Sequence, residues 1–326
     1  MARALRLRST KPPPHGPRVG PWAAHFCLVG VSLAFGSFRV GADEPKVLVW
    51  RGCEVAQEAF MTRCAAAYER KTGVRVRVTG GGTTIGIESV ADGTADVGGS
   101  CRSCLAARGE NALPLRLVIV AWDAVVVVVH PTNPIDGLTI DAVRGVFTER
   151  IRDWKEVGGP ARRIAVVTRR DAQSGVGVMS RRMFFGDDNA RFGDTVIRLP
   201  QGSESVEEMV ERYPHAIAFS GASSASRRGL KLLAIDGVAP TRARIATGEY
   251  PHYRPLFLTY RTTPTAPVLA LRDWMLSPEG QATIVEAGTI GLDEGRTLVK
   301  TYRHFEVDGP PIDNLESLRA LADAPR

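Results

Sequence analysis

Hydrophobic positions along the chain change period in a regular way, and that alternation predicts the elements. Residues 46–50 (KVLVW) form a short apolar run, read as a strand that ends at Arg51-Gly52. From residue 54 to 71, Val55, Phe60, Cys64, Ala67 and Tyr68 fall on one side of an amphipathic helix, and Gly73 is placed to stop it. Residues 74–78 (VRVRV) alternate as a half-buried strand does. Three glycines and two threonines at 80–84 then precede a short helical run, 85–91. Strand, helix, strand, glycine loop and helix in this order is the βαβ grammar of a mostly parallel sheet.

The middle of the chain repeats the theme. Residues 117–130 are a long β-rich run that Trp122-Asp123 is expected to interrupt, with 125–129 a buried strand. Thr139 is a candidate cap for a helix over 139–147. A strand at 164–168 leads into Arg169-Arg170-Asp171-Ala172-Gln173-Ser174-Gly175, after which residues 178–185 begin a helix. Further strands are expected at 197–199, 216–220, 230–235 and 255–260, and helices at 205–213, 267–276 and 279–287. The tail from Asp308 carries three prolines and a short helical piece and is expected to contribute little. Two glycine-containing loops, each opening a helix in its own α/β lobe, predict a cleft lined from both sides, which suits a ligand enclosed by hinge closure. Glycines ahead of a helix let backbone N–H groups converge on an anion at the positive end of the helix dipole; the plainer reading is a tight turn packing a helix on a sheet.

Composition sharpens this picture. A chain of 326 residues with 44% hydrophobic content can bury a real core. Its net charge of +7 would ordinarily suggest nucleic acid or a membrane surface as partner. Six of those charges, Arg3, Arg6, Arg8, Lys11, Arg18 and Arg39, stand in residues 1–42 with no acidic residue among them, so the remainder carries only +1. No nucleic-acid partner is expected. Residues 1–42 read as a secretory signal: a basic segment, an apolar run over 22–38 and Val40-Gly41-Ala42 as a small-residue cleavage site. An uncleaved anchor is the alternative, and no later segment is long and apolar enough to span a bilayer.

The cysteines agree with export. Cys27 lies in the apolar run, which leaves Cys53, Cys64, Cys101 and Cys104, an even number suited to one or two disulfides with three possible pairings. His130, His215, His252 and His304 are scattered, and no hydrolase or metal-hydrolase spacing occurs, so neither catalysis nor a cofactor is expected.

Several segments together resemble the phosphate-binding proteins of ABC transporters, a branch of the periplasmic substrate-binding superfamily. They are GGGTTIGIESVADGTADVGGSCR at 80–102, NPIDGLTIDAVRGVFTERIRDWKEVGG at 133–159, Arg170 to Gly175, residues 213–221, YPHYRPLFLTY at 250–260 and SPEGQ at 277–281. The likeness covers about residues 46 to 293 in order. It implies a two-lobed α/β periplasmic-binding-protein (type II) fold with a central cleft and a double hinge crossover. The expected division is a signal at 1–42, lobe 1 at 43–122, lobe 2 at 123–221, a return to lobe 1 with C-terminal helices at 222–307, and a tail at 308–326. It further implies an extracytoplasmic, monomeric, non-enzymatic binder of a small oxyanion, partnered by a membrane ABC permease.

Carried over residue by residue, the resemblance implies ligand contacts at Cys53, Thr83, Thr84, Ser100, Cys101, Arg102, Arg170 (or its neighbour Arg169), Ser174 and Gly175. Several of these positions depart from the family pattern in one direction. Cys53 stands in a turn where small hydroxyl residues are usual, Ile85 and Val176 replace threonines, Cys101 replaces a serine or aspartate, and Gly177 replaces an arginine. Each oxyanion bond left unmade costs about 1–3 kcal/mol, so phosphate affinity is expected to be weakened. The thiols open two alternatives: a sensor or interaction module that kept the fold, or a binder of a thiophilic metal or metalloid at Cys53, Cys101 and Cys104. A Cys53–Cys101 bridge would pin two pocket loops together, whereas Cys101 and Cys104 lack the flanks of a thioredoxin-like motif.

Overall fold

The computed structural model describes residues 47–200, 202–305 and 309–324; the expected export signal lies outside them. In chain order the elements are β1 (Val47–Gly52), α1 (Glu54–Ala56), a π-helical turn (Gln57–Met61), α2 (Thr62–Thr72), β2 (Arg75–Thr79), α3 (Thr83–Asp92), β3 (Val97–Ser100) and β4 (Leu115–Val129). They continue with β5 (Gly137–Leu138), α4 (Ile140–Phe147), β6 (Ala165–Arg169), α5 (Gly175–Phe185), β7 (Ile197–Leu199), α6 (Ser203–Arg212), β8 (Ala216–Gly221) and α7 (Ala222–Arg227). The last are β9 (Lys231–Leu232), β10 (Ala234–Ile235), α8 (Arg242–Thr247), β11 (Tyr253–Arg261), α9 (Ala266–Leu276), α10 (Pro278–Glu286), α11 (Leu298–Thr301) and α12 (Leu315–Asp323).

One strand ties the sheet together. β4 has 15 residues, about 50 Å of extended chain, and every one except Arg116 is buried. Its first part, Leu115 to Ala124, pairs antiparallel with β11; its second, from Val125, pairs with β8 and, at its end, β9. The order β2-β1-β3-β11-β4-β8-β6-β7 therefore has two halves sharing β4. In the first, β1 lies parallel to β2 and β3, as βαβ connections require; in the second, β6 lies parallel to β7 and β8.

The expected interruption at Trp122-Asp123 does not occur. The strand runs through, and the polar residue that suggested a break sits where the pairing partner changes. Asp123 is fully buried; its Oδ1 accepts from Ser223 N and Oγ, both at 2.9 Å, and its Oδ2 from Arg254 Nη2 at 3.2 Å. A satisfied carboxylate can stay in a buried strand.

The first long helical run carries a π turn with an identifiable cause. Ala59 O accepts from Arg227 Nη2 at 2.9 Å and Thr289 Oγ1 at 3.0 Å, so donors from outside the helix occupy a ladder carbonyl and the turn widens. Cys64, Ala65 and Tyr68 form the buried face of α2, and Gly73 closes it with a left-handed φ of 74°. Thr139 caps α4 as expected, accepting from Ala142 N at 3.1 Å.

The tail is the other departure. Residues 309–324 dock on β4: Leu117 N donates to Pro311 O, Asp313 N to Leu117 O, and the Asn314 amide exchanges two bonds with the backbone of Ile119. The expectation that it contributes little is corrected, because these bonds satisfy backbone groups of β4 that would otherwise be orphaned. No helix among the described residues is long and apolar enough to cross a membrane.

Candidate functional site

A cavity of about 200 Å³ opens where the carboxyl ends of β1 and β3 face the carboxyl end of β6. Cys53, Glu54, the Gly81–Gly82 loop and the start of α3 line one side; Arg169, Asp171, the start of α5, Gly202 and Ser203 line the other. Small residues build this corner. A Cβ on Gly52 would lie 2.4 Å from Gly99 O, and one on Gly99 would lie 2.0 Å from the Trp50 ring, so β1 and β3 approach as closely as bare backbone allows. Cys53 N donates to Gly99 O at 2.8 Å as a result. Gly82, at φ 98°, turns the chain into α3 without any side-chain cap, which leaves the first N–H groups of that helix pointing out of its N-terminus.

The second helix starts earlier than its sequence suggests. α5 begins at Gly175, and Ser174 is its N-cap, accepting from Gly177 N at 3.2 Å. Thr83, Thr84 and Ile85 from α3 and Ser174, Gly175 and Val176 from α5 thus line one space. The two N-termini meet closely, since a Cβ on Gly175 would fall 2.2 Å from Cys101 Sγ and 2.6 Å from Thr83 Oγ1.

Of the residues singled out in the sequence, Cys53, Thr83, Thr84, Ser174 and Gly175 line the cavity. Arg169 does so instead of Arg170, which is exposed. Arg169 is 5% exposed, donates to Phe219 O at 3.1 Å and to Ser203 Oγ, and burial lowers its pKa. Ser100 and Arg102 lie behind the lining: Ser100 Oγ donates to Arg102 O. Arg102, 1% exposed, pairs with both oxygens of buried Glu110 at 2.7 and 3.0 Å and donates to Gln173 O at 3.3 Å. Its charge is taken by a carboxylate of the same half, so it braces the two sides rather than facing the cavity. Glu54 and Asp171, not expected from the sequence, add two carboxylates to the lining.

Cys101 sits directly behind the lining. Cys53 Sγ donates to Cys101 Sγ at 2.9 Å, Cys101 N donates to Thr83 Oγ1 at 3.3 Å, and the Thr83 hydroxyl lies 3.6 Å from Cys101 Sγ. Cys53, Cys64 and Cys101 are free thiols. Burial and the neighbouring sulfur push the Cys53 thiol well up. Burial acts in the same sense on Cys101, but the hydrogen bond from Cys53, the Arg254 guanidinium and the contact with Thr83 outweigh it and bring that thiol down to about 6. Cys64 is raised to about 12 by burial alone. The three-thiol metal group considered above does not form: among the described residues no three His, Cys, Asp or Glu side chains converge to hold a metal.

Arg254 is the residue that sequence reasoning missed. It is fully buried on β11, pairs with Asp123, and its Nε and Nη1 have no hydrogen-bond partner among the described residues. It is the only Arg, Lys, Asp or Glu in the run from Pro251 to Tyr260, and a lone charge inside a strand of apolar neighbours was the available signal.

The sequence profile of a PBP superfamily domain matches residues 49–279. The phosphate-binding protein PstS of Bacillus subtilis (strain 168) is 28% identical over 225 residues, 68% of this chain and 69% of that protein. The PstS of Pseudomonas aeruginosa PAO1 is 26% identical over 260 residues, 72% and 79% of the two chains. Among solved structures, an ABC-type phosphate transport receptor from Vibrio cholerae aligns with a TM-score of 0.59 and 25% identity, over 76% of this chain and all of that one. A Clostridium perfringens protein described as a phosphate ABC transporter substrate-binding protein with bound phosphate aligns with a TM-score of 0.68 and 24% identity, over 76% and 99% of the two chains.

Proposed function

Because this chain belongs to the PBP superfamily and has its two-lobed α/β fold, we propose that it is an exported solute-binding protein that closes on a small oxyanion, phosphate or a chemical relative. The observation that carries this reading is the convergence of the α3 and α5 N-termini on one cavity with the Arg169 guanidinium in its wall. The uncapped N–H groups of α3 and the positive end of the α5 dipole, whose Ser174 cap takes only the Gly177 N–H, stand beside a buried cation and are suited to an anion that sheds its water. Thr83 and Thr84 on one side and Ser174 and Gly175 on the other would contact the ligand. The lobes would be the two halves of the sheet, hinged where β4 changes partner and where Val125 N meets His252 O at 2.8 Å.

The same reading makes residues 1–42 an export signal, the protein extracytoplasmic and monomeric, its partner a membrane ABC permease and its action binding without catalysis, with disulfide formation among the cysteines in an oxidising compartment. The PstS relatives named above are phosphate-binding proteins. Thermal unfolding in the presence of phosphate, sulfate, molybdate or arsenate tests the proposal: at least one should raise the midpoint, and a midpoint unmoved by all four rules it out.

A second reading rests on a different observation. The sulfur contact at 2.9 Å and the carboxylates of Glu54 and Asp171 in the lining suit a thiophilic, uncharged or cationic ligand better than a dianion. Arsenite raising the midpoint, with all four oxyanions inert, would select it.

A further inference from the structure

The two sulfurs at the cavity wall have a geometry that ordinary core cysteines lack. Cys53 Sγ and Cys101 Sγ stand 2.9 Å apart, and closing them to a disulfide needs an approach of about 0.9 Å. They sit on separate loops, one following β1 and the other following β3, held in register by the bond from Cys53 N to Gly99 O. Cys53 lines the cavity, and Cys101, fully buried behind it, touches Cys53 and Thr83 and faces Gly175. The only cation buried with them whose donors are left open is Arg254, with Nε and Nη1 unpartnered among the described residues.

We propose that Cys53 and Cys101 form a peroxide-sensitive dithiol site in the cavity wall, with Cys101 as the attacking thiolate and Cys53 as the resolving thiol. The oxidant is a small hydroperoxide, which enters the cavity and must pass between Cys53 and Thr83 to reach the fully buried Cys101 sulfur. Cys101 thiolate attacks one oxygen of hydrogen peroxide; a sulfur–oxygen bond forms, the oxygen–oxygen bond breaks, and hydroxide leaves, giving a sulfenic acid. Cys53 then attacks that sulfur; the sulfur–sulfur bond forms, and the sulfenic oxygen leaves with the Cys53 proton as water. Two thiols are oxidised, one peroxide is reduced, and the product ties the loop after β1 to the loop after β3. The low thiolate threshold of Cys101, set against the raised threshold of Cys53, agrees with this division of roles. The site does not depend on which solute the cavity binds.

The test uses the full chain, reduced, freed of reductant and treated with hydrogen peroxide at neutral pH. Non-reducing peptide mapping should show a Cys53–Cys101 link, with the intact mass lower by two hydrogens. In Cys53→Ser, dimedone should label Cys101 several-fold more than in the parent, because the sulfenic acid has no thiol to resolve it. A first-formed link through Cys64 or Cys104, or over-oxidation of Cys101 in the parent without any disulfide, would overturn the proposal. Because the peptide map is read on the parent chain, it decides the question even if the variant fails to fold.

Discussion

Replacing Arg254 with methionine probes the least expected feature of the site. The Arg254–Asp123 pair is fully buried on both sides, with Nη2 to Oδ2 at 3.2 Å. Removing one partner of such a pair typically costs about 3–5 kcal/mol, because the other charge is left without compensation. Here the loss is partly offset, since the variant also removes Nε and Nη1, two buried donors with no partner among the described residues. An unsatisfied buried donor costs about 1–3 kcal/mol; at the lower figure the two offset about 2 kcal/mol, so Arg254→Met should lose a net of about 1–3 kcal/mol. Asp123→Asn has no such offset. It leaves a guanidinium that cannot shed its proton, and it should fall at the upper end, about 4–5 kcal/mol. The double variant should be more stable than Asp123→Asn alone, because no buried charge remains. Urea denaturation of the parent, both single variants and the double variant measures all four. Single variants within about 0.5 kcal/mol of the parent, the scale of an ordinary surface substitution, would refute the reasoning; so would a double variant equal to the sum of the singles. Arg254→Met should also raise the Cys101 thiol, seen as slower alkylation at neutral pH, since the guanidinium is one of the groups holding it down to about 6.

Two further outcomes follow from neighbouring packing. His252 is buried against Phe184, with ring centroids 4.0 Å apart, and burial holds it down to about 4 from an ordinary 6.5. Its folded pKa is depressed, so the unfolded chain takes up the proton first. Stability is therefore complete above pH 6.5 and is lost as pH falls toward 4, by up to about 3 kcal/mol; urea midpoints should drop less over that range in His252→Phe. Gly175→Ala places a Cβ 2.2 Å from Cys101 Sγ and 2.6 Å from Thr83 Oγ1, so the α5 N-terminus must back away from the first half. The expected cost is about 1–3 kcal/mol, with faster alkylation of Cys101, and an unchanged unfolding midpoint would contradict the close approach.

Much of this was legible in the chain because it is local. The βαβ order of β1 to α3 follows from a change of hydrophobic period, the Thr139 cap from one hydroxyl at a helix start, and the paired loops from glycines ahead of helices. What escaped depends on contacts that no local pattern reveals. Asp123 looked like a strand breaker until its carboxylate met Ser223 and Arg254, the latter 131 residues away. Arg102 looked like a ligand contact because nothing in its segment shows that Glu110 folds back to take its charge. The start of α5 was hidden by its glycines, which are poor helix formers. They are tolerated because a Cβ on Gly177 would meet Ala172 O at 2.5 Å and one on Gly175 would meet Cys101. The docked tail has no local signal, since the groups it bonds, the backbone of Leu117 and Ile119, lie nearly two hundred residues earlier.

The oxyanion reading of the cavity is tested most directly by equilibrium dialysis of the full chain against inorganic phosphate at neutral pH. The account predicts saturable uptake approaching one phosphate per chain, reduced when Arg169 is replaced by methionine. No uptake by the parent chain of phosphate, nor of sulfate, molybdate or arsenate dialysed in the same way, would contradict it.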